Sequence, residues 1–417
     1  MIVIDCEWSE TAIANSHRPI LKLLPALYTF KTFDPAELDP LLINESTFHI
    51  KNNVVNAMKQ VSVDDVGEFT DSELKRYSRQ MVLSGIGREG QRRIKEARVC
   101  VLGVGGLGCF SSLELAAIGV GHLRIVDRDA VEISNLQRQL LYDVHQLGYP
   151  KVEVAAERLS SLNPNIEIES VAASIDSSNV RSIIEGMDVV VDSFDSFSAR
   201  YAVNRACLDL GIPYVFGGAL EYYGNASSFI PGETACLECI LPGMSDDPNL
   251  SCEVVGVVPS ILGIIASVQV QETLRIILGR KPLLANQLLV CDLKTMCFDL
   301  FPLTKDPWCV ACGKGREELA IIREKRVAGL CGKNSFMVVP ANELSLDVPM
   351  AGKILAKRYR LRVQARVGIT FEYNDRVSVS VFKRGHMLIK GVGDRDGALR
   401  IFDEVMKMIQ QRNAAGS

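Results

Sequence analysis

The sequence predicts an α/β protein: a doubly wound, mostly parallel sheet, followed by a small α+β module and preceded by an N-terminal extension. Short apolar runs alternate with helix-period stretches between residues 71 and 316. A glycine-rich turn joins the first such run to the first such helix, as in a βαβ unit. Beyond residue 330 the pattern changes to strand-like alternation and a closing amphipathic helix.

Residues 1–70 carry no recognisable chemistry, and Pro19, Pro25, Pro35 and Pro40 break them into short pieces. Thr70-Asp71-Ser72-Glu73 offers a cap with acid in the first turn, so a helix starts there. Arg98–Leu102 reads as a buried parallel strand. Leu113, Leu115, Ala116 and Ile118 mark the helix after it, and Leu123–Val126, ending in Asp127, is the second strand. Ile166–Ile168, Val189–Val191 and Tyr214–Phe216 read as further strands. Val152–Leu162, Val180–Glu185 and Ala199–Leu210 read as the helices between them. In the last segment, residues 330–417, Val377, Val379 and Val381 alternate with polar neighbours. Lys383-Arg384-Gly385 turns into Met387–Ile389, giving a hairpin. Ala398, Leu399, Phe402, Val405, Met406 and Ile409 share one face of a final helix. A helix packed on a small antiparallel sheet is the simplest architecture for this module.

A chain of 417 residues predicts roughly two to three domains. With 47% hydrophobic and 23% charged residues it has ample material for cores. The net charge of -4 lacks the basic excess of a general nucleic-acid binder. The N-terminus, Met-Ile-Val-Ile-Asp-Cys-Glu-Trp, carries acid where a secretory signal carries base. The longest apolar run, Val254–Val268, is interrupted by Gly256, Pro259 and Gly263 and reads as a buried helix, not a membrane span. A cytoplasmic location is expected. The 12 cysteines are then reduced thiols, some of them metal ligands or catalytic.

Gly103, Gly105, Gly106 and Gly108 follow a strand and open a helix. Such glycines let backbone N–H groups approach phosphate, where the helix N-terminus favours negative charge. The spacing also satisfies G-x-G-x-x-G, with Asp127 about twenty residues on, as in nicotinamide-dependent enzymes. On these features alone the Rossmann-like domain fits an NAD-dependent oxidoreductase. The residues after Asp127 point elsewhere. Asp127-Arg-Asp129-Ala-Val-Glu-Ile-Ser-Asn135-Leu-Gln-Arg138-Gln139 is dense in polar groups at the carboxyl end of a strand, and Lys151 opens the next helix. Nucleotidyl transfer needs such cations, because charge gathers on phosphate oxygens and must be met by fixed positive groups and Mg²⁺. Asp195, closing Asp192-Ser-Phe-Asp195 after a later strand, offers a carboxylate for that metal.

The segment from Arg76-Tyr-Ser-Arg79-Gln80 to Cys312 resembles the adenylation domain of the ubiquitin-activating superfamily. The simplest members of that superfamily are the molybdopterin-synthase and thiamine sulfur-carrier adenylyltransferases. The stretches that carry the resemblance are R-Y-S-R-Q, G-V-G-G-L-G, D-R-D-A-V-E-I-S-N-L-Q-R-Q, the Lys151 helix start, D-S-F-D-S and two C-x-x-C pairs, in the family's order. It implies an ATP-dependent enzyme that adenylylates the C-terminal glycine carboxylate of a small ubiquitin-fold protein ending in Gly-Gly. Asp127 would hold the ribose, with Asp129 beside it. Asn135, Arg138 and Lys151 would meet the triphosphate, and Asp195 would serve Mg²⁺. Arg79 would reach the partner subunit's site, which implies a homodimer with composite sites. A non-catalytic scaffold of the same fold is the third reading.

Cys236-Leu-Glu-Cys239 and Cys309-Val-Ala-Cys312 supply four thiolates, a set that suits tetrahedral zinc in a structural role. A redox C-x-x-C would need only one pair. Cys252 stands between a polar loop and the buried apolar run. The resemblance makes it the cysteine that takes the activated carboxylate as a thioester or acts in sulfur transfer, so a sulfur donor or a conjugating enzyme is a further expected partner. The other reading of Cys252 is a packing cysteine. By analogy with larger ubiquitin-activating enzymes, the end segments would recruit the carrier or a conjugating enzyme.

Overall fold

The computed structural model describes residues 69–246, 254–316, 326–329 and 334–410. Cys252 and all but the last two residues of the 1–70 extension lie outside the described residues. Elements begin with α1 (Asp71–Met81) and α2 (Gly87–Glu96). The core follows as β1 (Arg98–Leu102), α3 (Gly106–Ile118), β2 (His122–Asp127), α4 (Lys151–Leu162), β3 (Glu167–Ala172), α5 (Val180–Ile184), β4 (Val189–Asp192), α6 (Phe197–Leu210) and β5 (Tyr214–Leu220). These strands pair in parallel in the order β3-β2-β1-β4-β5. The chain runs outward from β1 to β3 and then crosses to the other side of β1 as β4. The crevice between the carboxyl ends of β1 and β4 is therefore the switch point where doubly wound sheets bind ligands. Leu102 pairs with both Val126 and Asp192, which brings the loops after β1, β2 and β4 to one edge.

The sheet continues beyond the parallel part. β6 (Tyr223–Phe229), β7 (Gln287–Asp292) and β8 (Cys297–Pro302) extend it in antiparallel fashion. A short helix α7 (Leu237–Ile240) precedes α8 (Pro259–Ile277). The helix expected in the apolar run thus begins at Pro259, whose missing N–H suits a first turn. α8 is long and apolar enough to cross a membrane by length and composition. It lies instead against α3, β5 and β6. Its buried polar residues are bonded to the sheet: Gln269 Nε2 donates to the Asp192 carbonyl at 2.6 Å, and Glu272 accepts from Ser228 Oγ at 2.9 Å. A helix with such partners is a core helix.

The C-terminal module is larger than one helix on a small antiparallel sheet. Its sheet begins at β9 (Arg326–Gly329), ahead of residue 330. It continues with β10 (Ser335–Val339), α9 (Val348–Leu355), β11 (Arg360–Gln364), β12 (Gly368–Glu372), β13 (Ser378–Phe382), β14 (Met387–Lys390) and α10 (Arg395–Gln410). The six strands are antiparallel in the order β11-β12-β13-β14-β10-β9. α9 and α10 cover one face through Val379, Val381, Ile389, Phe402 and Val405. The other face is not left to solvent: Met337, Phe382 and Leu388 join the core of the parallel-sheet domain. The polar positions of the alternation belong to this second face, where Ser380 and Thr370 are buried and hydrogen-bonded to each other at 2.8 Å.

Candidate active site

The loop after β1 is built by exclusion of side chains. Gly103 has φ +89°, and a Cβ there would lie 2.8 Å from the Ser193 carbonyl oxygen. A Cβ on Gly108 would fall 1.8 Å from the Gly103 carbonyl oxygen, and one on Gly106 would press on Leu262 at 2.8 Å. These three glycines serve the packing of β1, α3, α8 and the loop after β4. Gly105 differs. Nothing comes nearer a Cβ there than Gln139 Nε2 at 3.8 Å, so space stands open where the backbone enters α3. Gly105 has no side chain to cap α3, whose first N–H groups gain no side-chain partner from it. An open glycine at an uncapped helix start is a place for phosphate oxygens.

Asp127, at the end of β2, organises this loop: its carboxylate accepts from Val104 N at 2.7 Å and from Asp129 N at 2.8 Å. Burial pushes its carboxyl above the usual aspartate range, against the pull of Lys151. Lys151 is itself buried, with Nζ 3.2 Å from Asp129 Oδ2. Burial works against its cation, but Asp129 and Asp127 more than offset this and hold its pKa above the ordinary lysine value. Burial would also raise Asp129, yet Lys151 and Arg128 bring it below its ordinary value. A fixed ammonium between two carboxylates therefore stands at the carboxyl edge of β2, charged at any physiological pH.

Asn135 and Arg138 come from the turn that follows. Glu132 and Asn135 cap each other across a single 3-10 turn, and Glu132 N donates to Asn135 Oδ1 at 3.0 Å. Asn135 O then accepts from the N–H groups of Arg138 and Gln139. Arg138 is partly exposed, and its Nη1 donates to Ser134 O at 3.0 Å. Sequence reasoning gave no role to Gln139. It is buried beside Gly105, and its Oε1 has no hydrogen-bond partner, so a donor of a bound ligand would satisfy it.

On the other side of the crevice Asp192 is wholly buried. It accepts from Phe194 N at 2.8 Å, Arg200 Nε at 3.1 Å and Tyr214 Oη at 2.6 Å. Burial raises its carboxyl despite Arg200. Its oxygens are committed to holding the loop, and Asp195, three residues on, is exposed at the same edge. Arg200 was also missed by sequence reasoning. It ties Asp192 to the Phe194 and Gly217 carbonyls and so fixes the course of the loop toward Asp195.

Arg79 is not brought to this group. It is exposed on α1, which packs by Tyr77 and Gln80 on the C-terminal end of α3: Asn163 links Tyr77 Oη to the Ala116 carbonyl, and Gln80 donates to the Ile118 carbonyl. That end lies at the amino edge of the parallel strands, the far side from Gly105.

The four cysteines of the two C-x-x-C pairs converge, with their sulfurs all within 4.8 Å of one another. Cys236–Cys239, Cys236–Cys309 and Cys239–Cys312 sulfurs lie 3.8, 3.7 and 3.4 Å apart. Tetrahedral zinc at about 2.3 Å from each sulfur sets S···S at about 3.8 Å, so the donor set fits that ion. The turn carrying the second pair is tight enough that a Cβ on Gly313 would come within 2.5 Å of Cys309 N. Zinc there would tie the segment after β8 to α7, a structural role.

A profile of the ThiF family matches residues 77–311. The chain belongs to the ThiF family. Among relatives of this ThiF-family chain, the SAMP-activating enzyme E1 of Haloferax volcanii is 38% identical over 245 residues, covering 58% of this chain and 90% of the relative. The sulfur carrier protein adenylyltransferase of Thermus thermophilus is 37% identical over 268 residues, 63% of this chain and 99% of that protein. The crystal structure of Escherichia coli MccB with ATP superposes with a TM-score of 0.51 at 25% identity, covering 59% of this chain and 76% of that one.

Proposed function

We propose that this ThiF-family chain uses ATP to adenylylate the C-terminal glycine carboxylate of a small ubiquitin-fold carrier protein. The observation that supports the reading is the open Gly105 turn held by Asp127, beside the buried Lys151–Asp129 pair, in a chain related to named adenylyltransferases. In the reaction the carrier carboxylate attacks the α-phosphorus. The bond to the bridging oxygen breaks, pyrophosphate leaves, and acyl-adenylate remains. Asp127 is assigned to the ribose, with Asp129 orienting Lys151. Lys151, Asn135 and Arg138 are assigned to the phosphates, where fixed cations meet the charge that grows in the transition state. Asp195 would hold Mg²⁺, which would neutralise charge on the phosphates. Cys236, Cys239, Cys309 and Cys312 would hold zinc, and Cys252 is the proposed acceptor of the activated carboxylate, for sulfur transfer or for hand-over to a conjugating enzyme.

Arg79 stands too far round the fold to serve its own chain's phosphates, which favours a homodimer in which it completes the partner subunit's site. We place the enzyme in the cytoplasm, where ATP and reduced thiols coexist. The deciding experiment is ATP–pyrophosphate exchange with the purified protein and Gly-Gly-ending carriers from the host. Exchange that depends on one such carrier is expected. Binding of a nicotinamide cofactor with no exchange would overturn the reading in favour of an oxidoreductase.

A further inference from the structure

The C-terminal sheet grips the segment that carries the phosphate-binding residues. Residues 129–131 and 148–151 run side by side, with Val131 N donating to Tyr149 O at 2.8 Å and Lys151 N to Asp129 O at 2.9 Å. This short ladder fixes where Lys151 emerges. Strands of the C-terminal module hold it from behind. Thr370 Oγ1 donates to Gly148 O at 2.7 Å. Glu153, in the first turn of α4, accepts from Arg366 N at 2.8 Å and Val367 N at 3.0 Å. Lys390 pairs with Glu132, the residue that caps the turn of Asn135. The fit is close as well as polar: a Cβ on Gly368 would meet Pro150 at 3.0 Å, and one on Gly148 would meet Val363 at 3.4 Å.

We infer that Lys390, Thr370 and Glu153 are positioning residues for ATP, so that the module sets the nucleotide affinity by holding the Asp129–Lys151 ladder and the Asn135 turn in register. This rests on the adenylyltransferase reading. None of the three needs to touch the nucleotide. Lys390 acts through Glu132 on Asn135, Thr370 through Gly148, and Glu153 by anchoring the helix that begins at Lys151. With this face of the sheet occupied, a carrier or conjugating enzyme that used the module would have to approach its helices.

The test uses the full-length chain and Lys390→Met, with Lys390→Arg as the conservative rescue and Arg362→Gln as a control that breaks an exposed ion pair elsewhere in the module. Direct Mg·ATP binding, the KM values for ATP and carrier in exchange, and Tm are measured together. Misplacing reacting groups by about 1 Å costs about hundredfold in rate. Lys390→Met is expected to weaken ATP binding and raise its KM at least tenfold with the carrier KM and Tm unchanged. Lys390→Arg should restore both ATP values. Thr370→Val should show the same split should Lys390→Met not fold. An unaltered ATP constant in the folded variants overturns the inference, as does a rise confined to the carrier KM. Wild-type protein that binds no ATP would instead overturn the adenylyltransferase reading itself.

Discussion

Replacing Lys151 with methionine keeps an unbranched apolar stem one atom shorter and removes the ammonium paired with Asp129. The nitrogen lies 3.2 Å from Asp129 Oδ2, and its side chain is 6% exposed while that of Asp129 is 31% exposed. Breaking a buried pair by deleting one partner costs about 3–5 kcal/mol. Solvent at Asp129 screens the remaining charge, so the lower end, about 3 kcal/mol, applies. In a domain of this size about 3 kcal/mol lowers Tm by roughly 6–12 °C. Loss of one fixed positive group from a transition state costs a further 10²–10³-fold in rate, roughly.

The two effects separate in the double variant Lys151→Met/Asp129→Asn. Neutralising Asp129 removes the carboxylate paired directly with the ammonium, so Tm should recover part of its loss while exchange stays at the level of the single variant. The pH dependence gives the sign of the electrostatics. In Lys151→Met the buried Asp127 carboxyl, already raised by burial, loses its main opposing cation. A carboxyl raised in the folded state binds protons that the unfolded chain does not, so the single variant should gain stability relative to wild type as pH falls from 7 toward 5. Calorimetry across that range and carrier-dependent ATP–pyrophosphate exchange read out both. Recovery of exchange in the double variant would refute the assignment of Lys151 to the phosphates and leave it a purely structural cation.

Gly105→Ala should fold with a stability change within about 1 kcal/mol, since its Cβ meets nothing closer than 3.8 Å, yet raise the KM for ATP. Gly108→Ala, whose Cβ would sit 1.8 Å from a carbonyl oxygen, should yield no soluble protein, and equal behaviour of the two variants in expression and Tm would contradict this. Metal analysis should return one zinc per chain, lost in Cys309→Ser together with several degrees of Tm, and a metal-free protein of undiminished Tm would count against the site. His386 is buried and held neutral, its pKa pushed down to about 3 by burial. Between that value and the unfolded 6.5 only the unfolded chain takes up the proton, so stability falls with pH by about 1.4 kcal/mol per unit below 6.5. His386→Gln should flatten the wild-type loss of Tm between pH 6.5 and 5, and an unaltered slope would show that the imidazole is not the group responsible.

The parallel strands were legible because each buries both faces and so writes a continuous apolar run, as in Arg98–Leu102 and Val189–Asp192. β6 writes nothing of the kind. Tyr-Gly-Asn-Ala-Ser-Ser-Phe is polar because Ser227 and Ser228 are buried against distant groups, the Gln287 carbonyl and the Glu272 carboxylate. A strand whose inward side chains are hydroxyls carries no apolar signal for periodicity to detect. α9 was missed for a different reason: its eight residues are too few to establish a helical period, and its Asp347 cap is followed at once by Val348-Pro349.

The candidate site divides along the same line. Gly105, Asp127 and Lys151 act through their own backbone neighbourhood, at a helix start or a strand end, so spacing along the chain suffices to find them. Gln139, Arg200 and Lys390 act through partners that only the fold supplies: an open glycine, a carboxylate eight residues back across a strand end, and a capping glutamate in another part of the chain. The positive groups assigned to the nucleotide are thus readable from sequence, while those that hold the assigned groups in place are not. A variant library chosen from motifs alone would test the first set and leave untouched the residues that decide whether Lys151 and Asn135 stand where a triphosphate needs them.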